Sequence, residues 1–149
     1  MASIELINPS GGRTFFESAG NIAARTRFGV EKALWQSGKD IEAEFRRQVL
    51  AKTKTGTIYI RRDRLGRRRR HVASSAGETA ANRTGLYRKS SGFIVRGSKE
   101  LVFGNSADYA GFLELGTSRM KARPGLGNSI DASQRDILRN LTTEIPGAL

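Results

Sequence analysis

A chain of 149 residues without cysteine cannot form disulfides or thiolate metal sites, and 38% hydrophobic content suffices for one modest core. No run approaches the roughly 20 apolar residues of a membrane helix, so no membrane is expected among its partners; nor does the amino terminus carry the basic flank and apolar centre of a secretory leader. A net charge of +12 and an isoelectric point near 11.0 point instead to acidic partners: nucleic acid, an anionic surface or an acidic protein ring.

Residues 1 to 17 read as an arm. Ile4, Leu6 and Ile7 suit a brief strand before the breaker cluster Asn8-Pro9-Ser10-Gly11-Gly12, and Phe15 and Phe16 could dock the arm. The rest, residues 18 to 149, reads as a single domain. Ile22, Val30, Ala33, Leu34, Ile41, Phe45 and Val49 recur at helical intervals and predict the main helix over 18 to 52, with Ser18 as a candidate N-cap. Gly29 and Gly38 each weaken that helix by roughly 1 kcal/mol relative to alanine, and mark a bend or the close approach of another segment. Trp35 lies off the strict face, as a core-edge or subunit contact.

Residues 55 to 72 predict a β-hairpin: Thr57-Ile58-Tyr59-Ile60 is β-prone, Asp63-Arg64-Leu65-Gly66 supplies turn chemistry, and the return arm is nearly all cationic. Arg61, Arg62, Arg64, Arg67, Arg68, Arg69, Arg70 and His71 cannot be buried on both faces of such a ribbon, so it must project or lie against something acidic. Three readings stay open: a solvated hairpin whose arginines resist edge pairing, a contact with phosphates, and docking on an acidic protein ring. Tyr59 and His71 make no aromatic row, so a nucleic-acid contact would follow the backbone rather than stack bases.

Residues 73 to 92 have loop composition, with a short turn of helix or strand around Leu86 to Ser90. Phe93 to Arg96 and Glu100 to Phe103, split by Gly97-Ser98-Lys99, predict a second hairpin packed on the main helix. Residues 106 to 124 predict a short helix with a hard stop: Asn105 or Ser106 as the cap, Asp108 in the first turn, Tyr109, Phe112 and Leu113 on one face, Gly116 past the end, and Thr117-Ser118 in a turn. Glu114 sits inside this apolar run. If buried, it needs a partner, for which Arg119, Lys121, Arg123 and the amides of the 116 to 118 turn are candidates. Pro124 suits the first position of a closing helix over 124 to 145, with Leu126, Ile130, Ile137, Leu138, Leu141 and Ile145 as its apolar stripe. Ser129, Asp131, Ser133, Arg135, Asp136, Arg139 and Asn140 form its polar face, and Pro146-Gly147 its stop.

The ordered set Tyr109-Ala110, Glu114-x-Gly116-Thr117 and Arg123-Pro124 before a final helix resembles the head–tail joining (neck, or tail-completion) proteins of long-tailed bacteriophages. His71, Ala73, Ser74, Gly77, Glu78, Ala81, Thr84, Gly85, Arg88 and Ser90 extend the likeness upstream. Gly125-Leu126 stands where that family has Phe-Leu, Ala76 and Ala80 stand where it has prolines, and Leu86 follows Gly85 directly. The resemblance implies a structural virion protein made in the host bacterial cytoplasm. Its subunits would form a homo-oligomeric, hexameric ring around the DNA channel. The ring would cap the head-proximal end of the tail and contact connector or adaptor proteins, tail terminator or tail-tube proteins, and packaged DNA non-specifically. A tail terminator and a basic nucleic-acid-binding module are the alternatives.

The residues themselves offer no catalytic constellation. His71 is the single histidine, no glycine-rich loop has the strand-to-helix setting of a phosphate cradle, and metal-ligand spacings are absent. No enzyme activity, cofactor or metal is therefore expected. The expected fold class is α+β, with a long N-terminal helix, an antiparallel sheet of two hairpins, and a C-terminal helix packed on the sheet.

Overall fold

The computed structural model describes residues 15–51, 54–81 and 84–145, with side chains of the first helix from residue 20 onward. The class is α+β: α1 (Phe15–Leu50), β1 (Ile58–Arg62), β2 (Arg68–Val72), α2 (Leu86–Lys89), β3 (Ser91–Arg96), β4 (Glu100–Asn105), α3 (Ala110–Leu115) and α4 (Leu126–Glu144). The helix begins before Ser18, so residues 15 to 17 of the expected arm already belong to α1; the remainder of the arm and the Pro146-Gly147 stop lie outside the described residues.

Two expected arrangements are corrected. The hairpins do not share a sheet: among the described residues β1 pairs only with β2 and β3 only with β4, giving two separate antiparallel ladders. And α4 lies chiefly along α1, touching the sheet only lightly at β4. The reason is in the small residues. Along α1, Gly29, Ala33, Ser37 and Ile41 recur every four residues and are buried; along α4, Ser129, Ser133 and Asn140 are buried, and the helices run antiparallel, with Glu144 at Gly29, Asn140 at Ser37 and Asn128 at Gln48. Short side chains let the two helices approach closely, and their polar atoms are bonded locally. The Ser129 hydroxyl donates to the Gly125 carbonyl at 2.6 Å, and the Asn140 amide donates to Asp40 at 2.8 Å and to the Ser37 hydroxyl at 3.3 Å. Of the stripe expected to be buried on α4, Leu138 is 63% and Ile130 39% exposed, whereas Leu126 packs on the core and Ile137, Leu141 and Ile145 are half-buried.

The glycines of α1 are sites of close approach. A Cβ on Gly29 would come 2.2 Å from the backbone oxygen of Glu144, and one on Gly38 would come 2.3 Å from the ring of Phe93. Gly29 thus admits the carboxyl end of α4, and Gly38 admits β3. Trp35 packs edge-on against Phe93 at 5.2 Å between centroids, holds Lys39 4.7 Å above its ring, and stays half exposed, at the core edge as expected. Residues 20 to 25 and Phe28 of α1 are exposed, including Ile22, which the periodicity had placed on the buried stripe.

The core gathers on the other half of α1. Phe45 and Val49 are buried with Ala80, Tyr87 and Ala110, and Phe103, Ala107, Leu113 and Leu126 close around them. Phe45 meets Tyr87 at 5.2 Å and Phe103 at 5.7 Å, both edge-to-face, the arrangement that aligns ring edges with ring faces. In the β3–β4 ladder Phe93 pairs with Phe103 and Val95 with Leu101. Strand alternation gives those pairs to the α1 side and leaves Ile94 and Val102 on the other.

Candidate functional site

Two places collect the residues singled out from sequence, and they do different work. The first is the corner between α3 and α4. Gly116 caps α3 at φ 78°, a backbone most side chains avoid, and a Cβ there would also lie 2.8 Å from the Ala122 nitrogen and the Met120 oxygen. Thr117 and Met120 exchange backbone hydrogen bonds at 2.7 and 3.2 Å, closing the turn, while the Thr117 hydroxyl accepts from the Arg119 amide at 3.2 Å. The Arg123 amide then donates to the Leu113 carbonyl at 2.7 Å, folding the chain back on α3.

That fold-back sets Glu114 under the start of α4. Its Oε1 accepts three hydrogen bonds, each 2.8 Å long, from the Tyr87 hydroxyl and from the Gly125 and Leu126 amides. Those amides are among the free donors of a helix start, where a carboxylate is favoured by both hydrogen bonding and the helix dipole. Neither Arg119, Lys121, Arg123 nor the 116 to 118 amides bond it; the Gly116 amide donates to the Phe112 carbonyl and the Thr117 amide to the Met120 carbonyl. Glu114 is an internal staple, as favoured from sequence, but it fastens the next helix rather than its own turn. Burial and the bond to Glu114 push the Tyr87 hydroxyl far above the ordinary tyrosine range. Pro124 is not the first helical residue: Gly125 is the N-cap and Leu126 begins α4. A Cβ on Gly125 would meet the Tyr87 hydroxyl at 2.7 Å and Phe45 at 3.0 Å, so the bulky residue of the related pattern has no room here.

Other expectations at this corner do not hold. The α3 N-cap is Tyr109, without a side-chain bond. Asn105 instead accepts from the Ala107 amide at 3.0 Å and donates to the Tyr87 carbonyl at 2.5 Å, spending its side chain on the strand-to-helix turn. Phe112 is 60% and Leu115 86% exposed, whereas Leu113 packs inward and Ala110 is buried. Tyr109 is partly exposed and leans on Tyr87 with centroids 6.2 Å apart. With a helix of only six residues, one face holds just Ala110 and Leu113, so Phe112 is left outside.

The second place is the arginine ribbon. β1 and β2 pair in register from Ile58↔Val72 to Arg62↔Arg68, and every β1 residue is exposed. Within the two strands only His71 and Val72, at the root, are half-buried. Asp63 builds the tip. Its carboxylate accepts from the Leu65 and Arg67 amides at 2.9 and 3.0 Å, and from the guanidinium groups of Arg67 and Arg69 at 3.1 and 3.3 Å. Slight desolvation opposes ionisation of Asp63, but these donors outweigh it and hold its pKa below the ordinary value. Gly66, at φ 73°, lets the chain turn back. Arg61, Arg62, Arg64, Arg68 and Arg70 have no carboxylate partner among the described residues.

The root is fixed to the body by groups whose role the sequence did not disclose. Glu78 accepts from the Thr55 hydroxyl at 2.6 Å, the Ser75 amide at 2.9 Å and the Thr55 amide at 3.2 Å; the Thr55 hydroxyl bond leads in lowering its pKa. The Lys54 ammonium donates to the carbonyls of Gln48 and Thr79 at 3.1 and 2.7 Å, tying the end of α1 to the loop, and partial burial lowers its pKa. Asn128 donates to the Gly77 carbonyl at 3.0 Å. Ser and Thr flanking a loop glutamate is the only signal that could have suggested this clamp. Between the root and the α3 corner lies a cleft of about 480 Å³, lined by His71, Ser74, Thr84, Tyr87, Tyr109 and Arg123 among others. The Arg123 Nε is buried there without a hydrogen-bond partner.

Among the described residues no group of histidine and carboxylate side chains could hold a metal ion, and no helix is long and apolar enough to cross a membrane. No protein-family model, curated protein or solved structure matches this chain.

Proposed function

We propose that this chain is a structural, non-catalytic assembly protein that joins two larger bodies by docking, and that its place is the head–tail junction of a long-tailed phage. The observation that carries the reading is the corner at Glu114. Gly116, Thr117 and Arg123 build one turn, and its fold-back sets Glu114 under the start of α4. His71, Ala73, Ser74, Thr84 and Gly85 face the adjoining cleft with Tyr109. That the upstream residues of the set lie beside the corner the downstream ones build supports the reading.

In this reading the corner holds the domain rigid, while the ribbon and the outward apolar residues of α1, α3 and α4 meet neighbours. A ring of identical subunits around the DNA channel would repeat each modest contact and multiply its effect without any strong single contact. The test is a particle assay. In a phage whose copy of this gene is removed, electron microscopy is expected to reveal full heads and complete tails of normal length, left unjoined. Tails of irregular length would assign the chain to tail termination instead, and normal infectious particles would refute a structural role.

A further inference from the structure

We infer that the arginine ribbon is a groove-inserting element for double-stranded nucleic acid, recognising the duplex through its two phosphate walls and not through its sequence. The inference stands on the ribbon alone and does not require the joining role.

The argument starts from which faces carry charge. Side chains alternate along a strand, and the cross-strand register fixes who shares a face. One face carries Ile58, Ile60 and Val72 near the root, then Arg62, Arg68 and Arg70. The opposite face carries Tyr59 and His71 near the root, then Arg61 paired with Arg69. Both faces of the outer half are therefore cationic, and neither is covered, since β1 is exposed throughout and Arg68, Arg69 and Arg70 are exposed on β2. A flat acidic surface, whether lipid headgroups or a protein ring, can meet only one face and leaves the other face's charge unused. A duplex groove presents anionic walls on two sides.

The dimensions agree. The major groove of a duplex is about 12 Å wide and admits a two-stranded ribbon. The ribbon stands clear of the described body: among the described residues β1 and β2 bond to no other strand, and the Asp63 tip is held by its own hydrogen bonds. Arginine forks match phosphate oxygens, and the absence of an aromatic row leaves nothing for unpaired bases to stack on. Asp63 contributes by placement: it holds the Arg67 and Arg69 guanidinium groups against the turn, so they cannot fold over the ribbon's flanks.

The test uses the purified full chain and a 25-base-pair duplex of mixed sequence, followed by fluorescence anisotropy across salt. With Arg61, Arg62, Arg64, Arg68 and Arg70, the arginines without a carboxylate partner among the described residues, neutralising phosphates, log K should fall against log salt with a slope of about −4.5, an affinity loss of about 500-fold between 50 and 200 mM. Arg61→Ser should flatten the slope by about 0.9, and Arg62→Ser with Arg68→Ser and Arg70→Ser by about 2.7. Guanine N7 atoms in the bound duplex should be protected from methylation, because they line the major groove. The inference is overturned if only one of the two face variants weakens binding, if N7 atoms stay reactive in a saturated complex, or if single strands, polyglutamate or anionic vesicles bind as tightly as the duplex. Because the substituted side chains are solvated, unchanged thermal melting of each variant certifies that lost binding is not lost folding.

Discussion

Replacing Glu114 by alanine tests whether one carboxylate organises the corner. The change removes the acceptor of three 2.8 Å hydrogen bonds at once. Losing a side-chain cap costs about 1 kcal/mol, and the Tyr87 hydroxyl, left beside buried Phe45, adds about 1 to 2 kcal/mol for an unsatisfied group. The expected total is about 2 to 3 kcal/mol, or roughly 4 to 12 °C in melting temperature for a domain of this size. Glu114→Gln keeps an oxygen acceptor and should cost about 1 kcal/mol. Tyr87→Phe removes one of the three donors, and its effect should not add to that of Glu114→Ala, because both act through the same bond. The control is Glu144→Gln. That carboxylate meets Lys32 at 2.8 Å but at the surface, where an ion pair is worth 1 kcal/mol at most by the usual magnitude of about 0 to 1. Circular dichroism melts and urea titrations of all four variants decide the matter. If Glu114→Ala melts within about 3 °C of the parent, or no lower than Glu144→Gln, the staple does not carry the corner.

The glycines of α1 give a second, opposite-signed pair. Alanine at Gly20, where no atom lies within 4 Å, should stabilise by about 0.5 to 1 kcal/mol, whereas alanine at Gly29 should destabilise despite the same helix gain, since it strikes a backbone carbonyl 2.2 Å away. Gly38→Ala should fall between them, because the Phe93 ring it meets can turn; urea midpoints rank the three. For acid, Glu44, Asp63 and Glu78 all have folded-state pKa values below their ordinary ones, so their contribution is present above about pH 4.5 and is lost as pH falls through the lower folded values. Stability measured by urea titration should therefore drop below pH 4.5, and Glu78→Gln should make that acid limb shallower. At the alkaline end the Tyr87 pKa is raised, so its contribution is complete below pH 10 and is lost as pH climbs towards the folded value; Tyr87→Phe should blunt the loss of stability above pH 10.

The helices, the hairpins and the ribbon were legible because each rests on local rules: period 3.6 in α1, β-branched runs beside Asp63-Arg64-Leu65-Gly66, and glycine at 116. What was misread is the partner each face chooses. On α4 the apolar residues Ile130 and Leu138 look like the buried stripe, but Ser129, Ser133 and Asn140 win the α1 contact. Ser37 meets Asn140 and Gly29 meets the backbone of Glu144, so the short residues of α1 admit a close approach by the carboxyl half of α4. Periodicity reports which residues share a face; it does not report the depth of the facing groove. The partner of Glu114 was missed for a similar reason. The nearby arginines and lysine are conspicuous in sequence, whereas backbone amides at a helix start become donors only once the chain has turned at Gly116 and Arg123. The clamp at Glu78 has no local signature beyond its serine and threonine neighbours.

The separation between corner and ribbon follows from electrostatics. Arg61, Arg62, Arg64, Arg67, Arg68, Arg69 and Arg70 repel one another, and against them the ribbon sets the single carboxylate of Asp63. Such a density of like charge inside the core would require neutralisation or many buried partners, each costly to desolvate. Held away on two paired strands, the same charges are screened by water and salt and cost the body little. The fold thus keeps a stability problem, the Glu114 carboxylate and its donors, apart from an interaction surface that works only while its charge stays uncompensated. It follows that ribbon and corner substitutions should be independent. Arg68→Ser with Arg70→Ser should change ligand affinity and leave the melting temperature alone, while Glu114→Gln should lower the melting temperature and leave the salt slope of binding alone. A double variant whose effects fail to add would mean that the ribbon folds back on the body, and the two-part description would have to be given up.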